Sequence, residues 1–193
     1  MKPPILPSLF VLMVLFVLVS TTAGAFEETK KEGQQEPVPV GPLTREQIEA
    51  AVPDWVQSQV EAQLDAEAAR ALATVAPGAE VIVFVGTWCG DSKREVPRLW
   101  KALDETGGMV PFAVRYVGVD RDKKEPAAAL AESAVRYLPT FIVVRDGRER
   151  GRIVETSPHG VERDLLDLLT GKARGVLATR EDLTSAAPAQ PPR

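Results

Sequence analysis

The sequence contains one cysteine, Cys89, and one histidine, His159, among its 193 residues. A single cysteine cannot form a disulfide within the chain. One cysteine and one histidine cannot supply the four ligands of a zinc site built from nitrogen and sulfur. We therefore expect no metal ion and no internal disulfide. In an exported protein, a lone cysteine indicates either pairing with another molecule or a reactive thiol.

The chain also lacks an excess of basic charge. Its 23 lysines and arginines are outnumbered by 27 aspartates and glutamates, which gives a formal net charge of −4. The basic residues form no tail or stripe, so we expect no nucleic-acid partner. Hydrophobic residues make up 45% of the chain, which is enough for a buried core without disulfides or a structural metal.

Apolar runs are short. The longest unbroken one, Leu9 to Val19, follows the charge of Lys2 and precedes the small residues Ala23-Gly24-Ala25. At about 1.5 Å per residue this run is well short of the roughly 30 Å bilayer core. The order is that of a secretory signal peptide with an A-x-A cleavage site. We predict a signal peptide over residues 1–25, and hence a periplasmic or secreted protein with no stable membrane anchor; the alternative is an uncleaved anchor.

Polar segments flank the central part of the chain. Residues 26–43 are polar and proline-rich, which is typical of a disordered linker. Residues 173–193 end in a polar, proline-rich stretch and predict a mostly disordered tail.

Residues 44–78 predict a helical extension. Thr44 and Gln47 have the spacing of a capping box. Pro53 is expected to end or bend the first helix. An apolar stripe from Trp55 to Val75 then predicts a second helical run.

Residues 79–172 predict a domain in which strands and helices alternate. The continuous apolar run Val81 to Val85 is typical of a strand buried on both faces. Later patterns give the order strand, helix, strand, helix, strand, strand, helix, with a hairpin turn at Asp146-Gly147. This order predicts an α/β fold whose first two strands are parallel and whose final hairpin is antiparallel.

Cys89 falls at the junction between the first strand of this domain and the helix after it. Unpaired backbone N–H groups and the helix dipole favour a thiolate there, and the thiolate is the nucleophilic form of cysteine. Lys93 and Arg94 act in the same direction, whereas the carboxylate of Asp91 opposes it. We predict a functional thiol; the alternative is a buried structural cysteine.

A short motif around this cysteine carries a resemblance. The segment Thr87-Trp88-Cys89-Gly90-Asp91-Ser92 resembles the W-C-G-P-C active-site motif of the thioredoxin family. Pro97 matches the proline of that family's active-site helix, and Leu138-Pro139-Thr140 is similar to its cis-proline loop. The resemblance extends from about Ala79 to Leu169. It implies a thioredoxin-like three-layer sandwich, with a central mixed sheet flanked by helices.

Three positions depart from the family pattern. Ser92 replaces the second, resolving cysteine, which is needed to release a mixed disulfide. Val83 replaces a buried aspartate, and Asp91 replaces the proline between the two cysteines. One chain therefore cannot run the dithiol redox cycle. At three residues from Cys89 on a helix, the Ser92 hydroxyl is expected to face the thiolate and donate a hydrogen bond to it.

The resemblance also implies a surface for an extended substrate. Pro139 would carry the cis peptide bond facing the thiol, and the backbone of Leu138 would pair with the substrate. Trp88 is expected to be exposed beside the thiol and to offer it apolar contact. We therefore assign catalysis to Cys89 and Ser92, and substrate binding to Trp88, Gly90, Asp91, Leu138 and Pro139.

Three functions remain open at this point. The first is monothiol thiol–disulfide exchange through Cys89, with exported proteins or small thiols as partners, by a monomer that needs no cofactor. The C-x-x-S pattern also looks like that of monothiol glutaredoxins, which use glutathione. The second is a non-catalytic thioredoxin-fold module that docks extended peptides at the Trp88 and Pro139 surface. In the third, Cys89 merely packs in a structural remnant.

Overall fold

The computed structural model describes residues 38–184. The predicted signal peptide, the first part of the predicted linker and residues 185–193 lie outside the described residues. The strands are β1 (Gly41–Leu43), β2 (Ala79–Val85), β3 (Phe112–Gly118), β4 (Thr140–Arg145), β5 (Arg148–Val154) and β6 (Gly175–Leu177). The helices are α1 (Arg45–Ala51), α2 (Trp55–Glu61), α3 (Ala66–Ala71), α4 (Gly90–Asp104), α5 (Ala127–Glu132), α6 (Val161–Thr170) and α7 (Glu181–Thr184), with a 3₁₀ turn at Leu72–Thr74.

The strands form one mixed sheet in the order β1-β3-β2-β4-β5-β6. β2 is parallel to β3 and antiparallel to β4, and β4 is antiparallel to β5. The predicted mixed sheet with a parallel first pair and a final hairpin is therefore confirmed. The hairpin turns at Asp146-Gly147, where both residues have positive φ, as a two-residue turn requires.

The apolar run of β2 supplies both faces of the sheet. Val81, Val83 and Val85 belong to one buried cluster, whereas Ile82 and Phe84 belong to another. This alternation follows from the two-residue period of a strand. The first cluster receives side chains from α2, α3, α4 and α6, and the second receives Leu130 from α5. Cys89 therefore lies where β2 passes from a fully buried layer into helix α4.

The helical extension is broken more often than predicted. The capping box at Thr44 is present, and α1 ends before Pro53 as expected. However, the single run predicted from Trp55 to Val75 is wrong, because the backbone leaves the helix at Ala62. Asp65 then starts α3 by accepting hydrogen bonds from the first backbone N–H groups of that helix.

Short edge strands correct the predicted linker and tail. Residues 41–43, predicted as linker, pair with β3, and residues 175–177, predicted as tail, pair with β5. Both contacts rely on glycine: a Cβ at Gly118 would lie 2.3 Å from the Pro39 carbonyl oxygen, and one at Gly151 would lie 2.7 Å from that of Gly175. Three-residue strands at a sheet edge carry too little hydrophobic pattern to be recognised in sequence.

Candidate active site

Cys89 is the residue that begins helix α4. Its backbone N–H donates to the Gly86 carbonyl at 2.9 Å, and its own carbonyl accepts from the N–H of Lys93 at 3.0 Å. Cys89 is the N-cap residue directly before Gly90, and it has the extended backbone angles usual at that position. Its side chain is half-buried. Cys89 therefore lies at the strand-to-helix mouth rather than in the core, as predicted.

The thiol contacts the loop before β4. Cys89 Sγ lies 3.4 Å from the carbonyl oxygen of Leu138, and the Leu138–Pro139 peptide bond is cis. The pairing of β2 with β4 explains how residues so distant in the sequence meet, because the end of β2 adjoins the start of β4. The predicted contact between Cys89 and this loop is present.

Ser92 is fully buried, with 0% of its surface exposed. Its hydroxyl oxygen accepts a hydrogen bond from the Gly86 N–H at 3.3 Å. The prediction that this hydroxyl would donate to the thiol is not supported, because the contact of Cys89 Sγ within the described residues is with Leu138. The Ser92 oxygen instead lies against the end of β2, where the buried N–H of Gly86 needs an acceptor.

The charges of the first turn of α4 are held by other groups. Lys93 forms an ion pair with Asp54 on the neighbouring extension. Arg94 bonds Asp91 at 2.7 Å and the hydroxyl of Thr156 at 2.7 Å. Asp91, predicted to oppose the thiolate, is thus paired with a cation three residues away. The two cations and the carboxylate therefore form ion pairs, which their positions in the sequence did not predict.

Trp88 is half-buried, although it was predicted to be exposed. Its indole N–H donates to the Val119 carbonyl at 3.0 Å, and its ring packs on the cluster that contains Leu138. Leu138 is 2% exposed and Pro139 is also buried, whereas Gly90 is exposed. The predicted substrate-binding residues are therefore neighbours, but those before β4 can reach a peptide mainly through their backbone.

Helix α4 carries a buried carboxylate, Glu95, that was not predicted from the sequence. Glu95 is 3% exposed and accepts hydrogen bonds from the Ser157 hydroxyl and from Arg94. Its position three residues after Ser92 places it on the same helix face. Val83, at the family's aspartate position, is completely buried in the apolar cluster. Spacing alone could have placed Glu95 on this face, but glutamate in a helix usually indicates a solvated side.

Between residues 38 and 184, no group of three or more histidine, cysteine, aspartate or glutamate side chains is arranged to hold a metal ion. Over the same range, no helix combines the length and apolar character needed to cross a membrane.

Comparisons with known proteins assign the chain to a family. The family model named Thioredoxin matches residues 62–166. Mitochondrial thioredoxin-3 of Saccharomyces cerevisiae is 34% identical over 88 residues, which cover 46% of this chain and 64% of the yeast protein. Thioredoxin of Staphylococcus haemolyticus is 30% identical over 90 residues, covering 47% of this chain and 81% of that protein. The crystal structure of oxidised yeast mitochondrial thioredoxin 3 matches with 28% identity and a TM-score of 0.35, over 49% of this chain and 79% of that one.

The matched region begins directly after α2, ends within α6 and contains both Cys89 and the loop before β4. The chain belongs to the thioredoxin family. It spans just under two thirds of the yeast relative's length, at 64%.

Proposed function

We propose that the chain is an exported thioredoxin-family protein that performs thiol–disulfide exchange through Cys89 alone. The observation that carries this proposal is the 3.4 Å contact between Cys89 Sγ and the Leu138 carbonyl. It brings a half-buried thiol at a helix start against the loop on which an extended chain would dock. Ser92, buried and bonded to the backbone, offers no second sulfur.

The chemistry begins with loss of the thiol proton of Cys89 to solvent. The thiolate attacks one sulfur of a substrate disulfide, so that a Cys89–substrate disulfide forms. The substrate's own S–S bond breaks, and its second sulfur leaves as a thiolate. Because Ser92 cannot attack the mixed disulfide, release needs a thiol from another molecule. We assign that step to a small thiol, whose thiolate attacks the substrate sulfur of the mixed disulfide, so that Cys89 leaves as a thiolate and a substrate–small-thiol disulfide forms. A second small thiol attacks that disulfide, which releases the reduced substrate and joins the two small thiols in a disulfide.

The backbone of Leu138 supports docking of an extended substrate beside the thiol. Between residues 38 and 184, the donor to its carbonyl is the weak S–H group of Cys89. The backbone N–H of Leu138 has no backbone carbonyl as acceptor among the loop and turn hydrogen bonds of residues 38–184. Both groups are therefore suited to pair with a substrate strand. We assign the substrate surface to Trp88, Gly90, Asp91, Leu138 and Pro139.

A peptide-docking module without turnover is the second candidate. The observation that favours it is the pairing of Lys93 with Asp54 and of Arg94 with Asp91. Cations that would otherwise stabilise a thiolate are thereby neutralised. In this case the same surface binds peptides, and the sulfur does not react.

A turnover assay on a protein disulfide separates the two candidates. For exchange, we expect the full chain alone to stop at a mixed disulfide, a supplied small thiol to start turnover, and Cys89→Ala to add nothing to the small thiol's own reaction. Ser92→Cys supplies the resolving sulfur within the chain, and the small thiol then reduces the disulfide between Cys89 and the introduced cysteine that each cycle leaves. With the small thiol present, the variant's multiple-turnover rate should therefore rise by about tenfold or more over the wild type. Equal background rates for all three proteins would favour the docking module.

Export rests on the predicted signal peptide over residues 1–25. N-terminal sequencing of the protein recovered outside the cytoplasm tests it, with Phe26 as the expected first residue. Recovery of an intact Met1 chain in the membrane fraction would favour the anchor instead.

A further inference from the structure

A surface cleft of about 370 Å³ lies close to the loop that contacts Cys89. Its lining combines apolar residues, Leu130, Val135 and three alanines, with the basic residues Lys123, Lys124 and Arg136. Among the described residues, no carboxylate lines it. The volume is within the range of sites for small ligand groups, roughly 300–1,000 Å³.

Two residues of the cleft, Leu130 and Val135, also belong to or pack against the cluster beside the candidate active site. Leu130 and Leu138 belong to one buried cluster, against which Cys89 and Val135 also pack. Val135 precedes Leu138 by three residues, so the two are at most about 10 Å apart along the chain. An extended peptide lying on Leu138 would therefore reach the cleft within about two to four residues of its reacting cysteine.

The basic side chains of the cleft keep a net positive charge. Lys124 lies 3.6 Å from Asp122. Lys123 and Arg136 form no ion pair with another residue in the range 38–184. Lys123 Nζ instead lies 5.9 Å from the ring centroid of Tyr137, the residue next to Leu138. A cation is thus positioned beside the docking loop itself.

Apart from Asp122, which lies near Lys124, two acidic residues of the same turn bind backbone N–H groups. Asp120 accepts hydrogen bonds from the backbone N–H groups of Lys124 and Glu125. Glu125 accepts from the backbone of Ala127. These carboxylates stabilise the turn before α5, and they do not line the cleft.

We propose that this cleft binds an acidic side chain of the substrate, about two to four residues from the cysteine that reacts with Cys89. The occupant is an extended polypeptide segment in which carboxylates and apolar residues alternate around that cysteine. Carboxylates are attracted to the basic rim, and the apolar lining receives the neighbouring side chains. This inference rests on the proposed function, since it names the substrate class of the same site.

Matched peptides test the proposal. Each carries one cysteine in a mixed disulfide with an aromatic thiol, and glutamate, glutamine or lysine three residues to either side. When Cys89 attacks the peptide sulfur, a Cys89–peptide disulfide forms and the coloured aromatic thiolate leaves. At low salt we expect the glutamate peptides to react about three- to tenfold faster than the lysine peptides, and high salt to remove the difference.

Charge reversal on the protein identifies the surface responsible. Lys123→Glu combined with Arg136→Glu should invert the preference, so that the lysine peptides react faster. The control is Arg148→Glu combined with Arg174→Glu. Both control positions are exposed, and Arg148 opposes Arg145 at the end of β4 away from Pro139. The control should keep the wild-type preference.

A binding experiment tests this inference separately from the proposed function. Labelled peptides with serine in place of cysteine are titrated into Cys89→Ala, and fluorescence anisotropy gives the affinities. Tighter binding of the glutamate peptide, lost on reversal at Lys123 and Arg136, supports the cleft even if the thiol proves unreactive. Equal rates and equal affinities for all peptides would overturn the cleft assignment and leave exchange at Cys89 standing. A preference that the control variant also inverts would overturn it too.

Discussion

The sulfur of Cys89 lies 3.4 Å from the carbonyl oxygen of Leu138, although 49 positions separate the two residues. The contact depends on β2 and β4 being neighbours in the sheet, with the end of one beside the start of the other. The contact joins a thiol at a helix start to a backbone segment on which an extended substrate chain can dock.

Ser92→Ala separates two roles for this serine. We expect the free energy of unfolding to fall by about 1–2 kcal/mol, because the buried N–H of Gly86 loses its acceptor. The reaction rate of the Cys89 thiol should change little. Chemical denaturation and thiol-reagent kinetics give the two quantities, with Ser58→Ala as the control, expected to stay within about 0.5 kcal/mol. Unchanged stability with a slower thiol would instead assign the hydroxyl to the sulfur.

Arg98 and Glu162 connect α4 to α6 through a buried ion pair. Glu162 has 0% side-chain exposure and accepts from Arg98 at 2.7 and 2.8 Å and from the Asp65 N–H at 2.8 Å. Arg98→Met should lower the free energy of unfolding by about 3–5 kcal/mol, since an uncompensated charge stays buried.

Two further variants check that cause. The exposed pair of Arg115 with Glu80 is the matched control, and Arg115→Met should cost less than about 1 kcal/mol. Combining Arg98→Met with Glu162→Met should recover part of the loss. Similar losses for Arg98→Met and Arg115→Met would mean that burial of Glu162 does not set the cost.

Tyr116 gives the protein a dependence on alkaline pH. Burial raises the pKa of its phenol to about 12 from 10.0, and its oxygen accepts a hydrogen bond from Trp100 Nε1 at 3.0 Å. Because the unfolded chain ionises first, stability is complete below about pH 10 and decreases as the pH rises toward 12. The loss from this group is about 2–3 kcal/mol.

Urea unfolding at a series of pH values measures this effect, with Tyr116→Phe as the comparison. The variant should be less stable near neutral pH by about 1–2 kcal/mol, since Trp100 loses its partner. Its stability should nevertheless decline less steeply above about pH 10. Parallel decline in both proteins would show that other groups control the alkaline range.

The central strands and the contact of Cys89 with the Leu138 loop could be predicted because each of the segments involved carries a local signal. Val81 to Val85 is apolar without interruption, and Leu138-Pro139-Thr140 resembles a known loop at the start of a strand. In contrast, the edge strands at Gly41 and Gly175 have too few residues to show a period.

Side-chain partners at the site were less predictable, because they come from distant segments. Lys93 was expected to favour the thiolate, but its partner Asp54 lies on the helical extension 39 positions earlier. Ser92 was expected to face the sulfur. Its hydroxyl oxygen instead accepts a hydrogen bond from the buried N–H of Gly86 at the end of β2. Local spacing places a residue on a helix face, whereas the tertiary fold decides which group it meets there.

The measurement that tests the central claim most directly is the intact mass of the full chain after incubation with a protein disulfide. The account predicts one covalent adduct per chain, attached at Cys89, cleared by a small thiol and absent from Cys89→Ala. The chain unfolded in denaturant serves as the control for access, since its thiol should react without help from the fold. If the folded chain forms no adduct while the unfolded chain does, Cys89 is not an exchange nucleophile, and the proposed thiol–disulfide exchange is wrong.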